Sequence, residues 1–338
     1  PWLSGEAYGD LWAGAPASSF YLTFHENWPL PLDGYRPEGA MDPVELPEIY
    51  GTTWTDVLTD FGRLASERGW VGTQFHVYLN NKPGDGRNPT PWELDEPSDL
   101  WDFKALEYFQ GLHAAASVPS EVEVAFRVDI SRPQYARGHL DGVGLYVCGS
   151  ACFTHARMTA DATARNGWEL WTYGSSPTVP SSMHIIQAWA ARTLALGGNG
   201  IVPWQTVRAG AEFLEGAEDH EQRLALFVEQ EDSQTPAVWA SLRAAAYRRA
   251  AQDMEYLRIM EREAGLSRGQ MARFVGAHLD PDGSVEVTRH WAGYAAALPD
   301  RGLTGAHFER MRSHAAAVIA DARGASPDVE GEEGEGEE

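Results

Sequence analysis

Two adjacent carboxylates, Asp95 and Glu96, stand in the run Pro91-Trp-Glu-Leu-Asp-Glu-Pro97, bracketed by prolines and close to Trp92. Paired acids among aromatic rings suit cleavage of a glycosidic bond. That reaction needs a proton donor for the leaving oxygen and a second group to stabilise positive charge at the anomeric carbon. Aromatic faces stack on the apolar side of a sugar ring, and Trp28, Trp92, Trp171, Tyr173 and Trp204 are the candidates. Neighbouring residues of a strand point to opposite faces, so Asp95 and Glu96 can share a substrate only where the chain leaves strand geometry. Pro97 favours such a bend. A second reading of the same residues has Asp95 or Ser98 capping the next helix while Glu96 complements its dipole.

Asp129 is a reserve acid, with a salt bridge to Arg127 or Arg132 as its alternative role. His76, Tyr78, Asn80, Tyr146 and the strand-exit cluster His25, Glu26 and Trp28 complete the polar and aromatic set that would line a sugar site.

The elements that must position these residues can be read from periodicity. In Thr73–Asn80, Phe75, Val77 and Leu79 alternate with Gln74, His76, Tyr78 and Asn80, the pattern of a strand with one apolar face. Further strands are predicted at Ser19–Glu26, Val122–Ser131, Val143–Cys148, Trp168–Tyr173, Gly200–Gln205 and Arg223–Glu229. In Val143–Cys148, Tyr146 and Cys148 oppose Leu145 and Val147, and Tyr146 is placed on the polar side. Helical spacing predicts helices over Thr52–Arg68, Asp99–Ala116, Phe153–Arg165, Met183–Leu196, Pro236–Ala264 and Gly305–Ala322. A short helix from Ser267 or Arg268 and a strand over Ser284–Arg289 are further options.

Seven strands separated mostly by helical runs indicate the α/β class. Their polar alternation favours a closed (β/α)8 barrel of the TIM type over an open sheet buried on both faces, with the site at the carboxyl ends of the strands. An eighth strand is expected upstream of Pro1 or within the first twenty residues. The predicted organisation is an irregular lead-in over 1–18, the barrel over 19–264, a helical extension packed on it over 265–324, and a disordered acidic tail over 325–338.

The chain has 338 residues with 43% hydrophobic and 11% aromatic content, enough for a substantial core. A formal charge of −23 argues against nucleic acid or an anionic membrane surface as partner. No apolar run matches a bilayer span, and the absence of an initiating Met and of a secretory leader reads as a fragment or a processed form. Cys148, Cys152 and His155 supply too few ligands for a zinc site, and two buried thiols or a local disulfide are the alternatives. No metal or other cofactor is expected. Nothing in the sequence reports on oligomeric state.

Four runs carry a resemblance: Tyr78-Leu-Asn-Asn-Lys82, Leu94-Asp-Glu-Pro97 with its following helix, Val202-Pro-Trp-Gln205, and the long helical stretch from Leu242 to Leu257. They resemble bacterial proteins with the domain of unknown function 4091, relatives of glycoside hydrolase family 123, over about Ser19–Leu257. The resemblance implies a (β/α)8 barrel, usually preceded by a β-sandwich, in an extracellular, periplasmic or cell-envelope setting. It implies release of N-acetylgalactosamine from β-linked glycans by a substrate-assisted route. Glu96 would then be general acid and base, and Asp95 would hold the acetamido group as it attacks the anomeric carbon. Burial beside Asp95 would help such a Glu keep its proton. In the family the strand runs almost directly into Asp-Glu-Pro, whereas here a Gly/Pro-rich insert intervenes. Aligned the other way, Asn81 and Lys82 take the place of the acids. The alternatives to an enzyme are a non-catalytic glycan-binding barrel and a structural module of a larger envelope protein.

Overall fold

The structure is a computed structural model that describes residues 1–9, 13–80, 90–136, 138–177, 182–204, 206–208, 226–230, 237–280 and 302–324. It divides into two compact units, the first comprising Pro1–Tyr173 and Gly198–Val202, the second Gly174–Gly197 and Pro203–Glu338.

In the first unit the alternation of polar and apolar residues has become a sheet with two unlike faces. The order of elements is β1 (Ser19–Leu22), α1 (Glu48–Glu67), β2 (Gln74–Tyr78), α2 (Leu100–Ala115), β3 (Val124–Ile130), β4 (Leu145–Cys148), α3 (Ala151–Thr154), α4 (Ala156–Asn166) and β5 (Glu169–Ser175). After α5 (His184–Ala195), which belongs to the second unit, the chain returns as β6 (Gly200–Trp204). The six strands lie in sequence order, and the registers recorded for β1 to β5 are all parallel, making an α/β half-barrel. Among the described residues, the connection between β3 and β4 holds only a one-turn helix at Pro133–Tyr135.

Phe75, Val77 and Leu79 are fully buried on the outer face, as are Phe126, Val128 and Ile130. The covering helices meet them there, with Phe61 of α1 edge-on to Phe75 at 5.0 Å and His113 of α2 5.7 Å from Phe126. Between α1 and α2, Trp54 and Phe109 lie 5.9 Å apart in the core. On the inner face Tyr21 pairs in register with His76, Tyr78 with Arg127, and Asp129 with Val147. The edge strands β1 and β6 both line a cavity of about 310 Å3 at the amino-terminal ends of the strands, together with Gln74, Glu169, Trp171 and Asn199, so the sheet is strongly curled. No strand precedes β1 among the described residues.

The second unit holds a separate sheet in the order β7 (Val207–Arg208), β8 (Phe227–Gln230) and β9 (Ala237–Ala240), with β8 parallel to β7 and antiparallel to β9. Two expectations are corrected here. The seventh predicted strand, now β8, is not part of the half-barrel, and within the helix predicted over Pro236–Ala264 the residues Ala237–Ala240 form a strand. Ser241 then caps α6 (Leu242–Glu263), its hydroxyl accepting from the Ala244 amide. The helices α7 (Arg268–Leu279) and α8 (Gly305–Ala322) follow, α7 opening with a capping box between Ser267 and Gln270. Met254, Leu257 and Met260 of α6 and Phe308, Met311 and Ala315 of α8 are buried. No helix among the described residues is long and apolar enough to cross a membrane. The strand predicted at 284–289, the acidic tail, and Asn81 and Lys82 lie outside the described residues.

Candidate active site

The loop carrying Asp95 and Glu96 is built from both ends. Trp92 and Leu94 are fully buried, and the Trp92 indole N–H donates to the Met41 carbonyl at 2.8 Å, so one side of the loop is anchored in the core. Asp102, one turn into α2 and 3% exposed, gathers the rest. Its Oδ1 accepts from the Glu93 amide at 2.8 Å, and its Oδ2 accepts from the amides of Ser98 at 2.9 Å and Asp99 at 3.0 Å. Asp99 caps α2, accepting from the Trp101 and Asp102 amides. The capping role therefore falls to Asp99 and Asp102 and leaves Asp95 and Glu96 to other partners.

Alternation along Trp92–Asp95 ends at Glu96, whose φ of 65° is left-handed and is the one such value outside glycine among the described residues. A non-glycine residue costs energy there and persists when its surroundings over-determine it. Those surroundings are the end of β3: the Glu96 amide donates to the Asp129 carbonyl at 3.1 Å, and Arg132 Nη1 donates to the Glu96 carbonyl at 3.3 Å.

Two tyrosines of the inner face engage the two acids. Tyr78, the last residue of β2, donates its hydroxyl to Asp95 Oδ1 at 2.6 Å, and the Tyr173 hydroxyl of β5 donates to Glu96 Oε1. Tyr173 fits because the residue after β4 is glycine: a Cβ on Gly149 would sit 3.1 Å from the Tyr173 Cζ and hydroxyl oxygen. Arg127 grips Asp129 with two parallel bonds of 2.7 and 2.8 Å, and its guanidinium lies 4.3 Å from the centre of the Tyr78 ring. Bidentate charge-assisted pairing of this kind is both strong and directional. Burial pushes the Asp129 carboxyl up from its usual value, and Arg127 and Tyr78 pull it part of the way back. Burial opposes the Arg127 charge most strongly, but Asp129, with Tyr78 and Asp95, outweighs it and raises the Arg127 pKa above its usual value. Burial, then Asp129 and Asp95, push the Tyr78 hydroxyl far up, so it stays a proton donor. Asp129 thus takes the ion-pair role, with both oxygens engaged by Arg127.

Asp95, Glu96, Tyr78, Tyr173 and Asp129 are therefore brought together at the carboxyl ends of β2, β3 and β5. His76 lies deeper on the same face, 4% exposed, 6.0 Å from Trp171 and 5.9 Å from Tyr21; burial, then Arg127, lower its pKa to about 4. Glu26 is fully buried beyond the end of β1; burial raises the Tyr50 hydroxyl and Glu26 adds to it, while at Tyr21 burial raises the hydroxyl and the smaller push from Glu26 is outweighed by Arg127. His25 is half-buried, its Nδ1 accepting from the Asn27 amide, while Trp28 is 42% exposed and stands edge-on to Phe24. Asn80 is exposed just past β2.

Three aromatic candidates belong elsewhere. Trp92 is core, with no face left for a sugar. Tyr146 lies on the outer face, stacked on Trp168 at 4.5 Å, because on β4 the inward residues are Leu145 and Val147, which cluster with Ala125, Trp171 and Tyr173. Trp171 lines the cavity at the amino-terminal ends, packed over Gly200 with its N–H on Glu169. Trp204 ends β6 in the second unit, and its side chain lies outside what the structure describes. Cys148 and Cys152 are free buried thiols. Arg127, Asp102 and Gly149 were not singled out as site residues by the sequence, although Arg127 shares the alternation that marked Asp129.

A solved structure from Clostridium perfringens, described as a family 123 glycoside hydrolase analysed for the details of glycolipid glycan hydrolysis, is similar at 16% identity with a TM-score of 0.49. The similarity covers 81% of this chain and 46% of that one, so this chain spans less than half the length of that structure. No family model matches the chain, and no curated protein matches it.

Proposed function

We propose that the chain is a glycoside hydrolase that cleaves a glycan or small saccharide bearing a 2-acetamido sugar, using Asp95 and Glu96 as an acid pair. The observation that carries this reading is the left-handed turn at Glu96. It interrupts the alternation that would send adjacent acids to opposite faces, and each acid is met by a tyrosine from the same inner face. In this reading the half-barrel belongs to a (β/α)8-type architecture of the kind that domain of unknown function 4091 proteins share with family 123, which the sequence resembles.

Glu96 protonates the leaving oxygen and then takes a proton from the attacking water. Asp95 accepts a hydrogen bond from the acetamido N–H, which orients the carbonyl oxygen onto the anomeric carbon as the leaving group departs. Tyr78 holds Asp95 in place for this, and Tyr173 fixes the Glu96 carboxyl. Arg127 and Asp129 set the floor beneath Tyr78. Trp28 and Asn80 are the exposed groups left to contact sugar, while His25, Glu26 and His76 support the wall.

The test is a panel of aryl glycosides with and without the 2-acetamido group, run on the wild type, Asp95→Asn and Glu96→Gln. The reading expects turnover confined to acetamido sugars and strongly reduced in both variants. Turnover of sugars lacking the acetamido group removes the substrate-assisted route, and full turnover by Glu96→Gln removes Glu96 from its role. Binding without turnover by the wild type would mark a glycan-binding barrel.

A further inference from the structure

Away from these acids, the second unit has a polar concavity that the proposed reaction does not use. On α6 the residues Arg249, Gln252, Asp253 and Tyr256 recur at intervals of three and four and so share one face of the helix. With Arg312 and Ser313 of α8 they line a cavity of about 440 Å3.

The charges in it are unequal. Asp253 is 2% exposed and fully engaged, accepting from Gln187 Nε2 at 2.7 Å and from Arg312 Nη1 at 3.0 and 3.3 Å. Arg249 Nε stands 3.6 Å from Asp253, beyond hydrogen-bonding distance, on a side chain that is 47% exposed. One carboxylate therefore faces two guanidiniums, and Arg312 together with Gln187 meets its hydrogen-bonding needs. The side chains of Gln252, Tyr256 and Ser313 make no hydrogen bond to another described residue, which leaves several neutral donors beside a guanidinium held to Asp253 only by a long ion pair. A structural ion-pair network would need only Asp253, Gln187 and Arg312.

We propose that this cavity binds a small ligand through an oxyanion group, a carboxylate, sulfate or phosphate. Arg249 is its principal cation, and Arg312, Tyr256 and Gln252 supply further hydrogen bonds. Guanidinium forks match the geometry of such groups. The cavity is a local exception in a chain of net charge −23, which makes simple accumulation of anions at the surface a poor account of any binding found there.

The test is isothermal titration of the full chain with inorganic phosphate, sulfate and glucuronate, each against chloride at matched ionic strength. At least one probe is expected to bind saturably, and Arg249→Gln to weaken that binding roughly tenfold or more, the loss of one charge-assisted contact. Arg249→Lys, which keeps the charge without the fork, should fall between the two. Urea unfolding of Arg249→Gln at the wild-type midpoint shows that the loss is not one of folding. Absence of saturable binding by all three probes, or binding unchanged in Arg249→Gln, overturns the proposal.

Discussion

Replacing Glu96 by glycine and by alanine isolates the backbone contribution of this residue. Both variants lose the carboxylate and its bond to Tyr173, so both should be inactive and both should lose the same side-chain contacts. They differ in how they tolerate a φ of 65°. A residue with a Cβ loses about 1–2 kcal/mol in the left-handed region, and glycine does not. Glycine loses about 0.4–1 kcal/mol more than alanine through the freedom of its unfolded chain. Glu96→Gly should therefore be the more stable variant by about 0.5–1 kcal/mol. Asp56, exposed in the middle of α1, supplies the opposite sign: there alanine should exceed glycine by about 1 kcal/mol, the ordinary helix preference. Urea unfolding of the four variants reads both differences from their midpoints. If alanine is the more stable at both positions, Glu96 is not held left-handed and the convergence of the two acids loses its physical basis.

Arg127→Met should cost about 3–5 kcal/mol by leaving Asp129 buried without its partner, and adding Asp129→Leu should recover most of that loss; a single-variant cost under about 1 kcal/mol in urea unfolding would contradict the pairing. Because burial lowers the folded pKa of His76 from 6.5 to about 4, the neutral imidazole stabilises the fold above pH 6.5. That contribution is lost as pH falls from 6.5 towards 4 and amounts to about 3 kcal/mol. His76→Gln should show correspondingly less acid destabilisation between those pH values, and equal acid sensitivity of the two proteins would refute the assignment. Asp102→Ala removes the acceptor of three loop amides and should cost about 3 kcal/mol. Hydrogen exchange should show the loss of protection concentrated at Glu93, Ser98 and Asp99, and protection unchanged at those amides would deny Asp102 its tethering role.

Much of the fold was legible because its signals are local. The alternation of Thr73–Asn80 gave β2 and its two faces, and the apolar spacing of 305–322 gave α8 at both ends. Where the reading failed, a non-local fact decided. Val238 and Leu242 stand four apart, as in a helix, but pairing with β8 makes Ala237–Ala240 a strand and starts α6 only after Ser241. On β4 both faces carry apolar residues, so alternation could not tell which was inward, and Tyr146 was assigned to the wrong one.

At the candidate site, sequence marked the adjacent acids and the tyrosines that the structure places against them. It could not show the left-handed turn, since glutamate carries no signature of it, nor the role of Asp102, an ordinary acid in the first turn of a helix. The space that Gly149 leaves for Tyr173 depends on two strands coming into register and has no local trace.

The most direct measurement of the central claim compares Glu96→Gln with the wild type on two acetamido glycosides, one with a nitrophenyl leaving group and one with an unactivated alkyl group. A proton donor matters most where the leaving oxygen is basic. The variant should lose about 10^2–10^4-fold in kcat/KM on the alkyl glycoside and far less on the nitrophenyl one. An equal loss on both substrates, or none on either, would contradict the assignment of Glu96 as the acid.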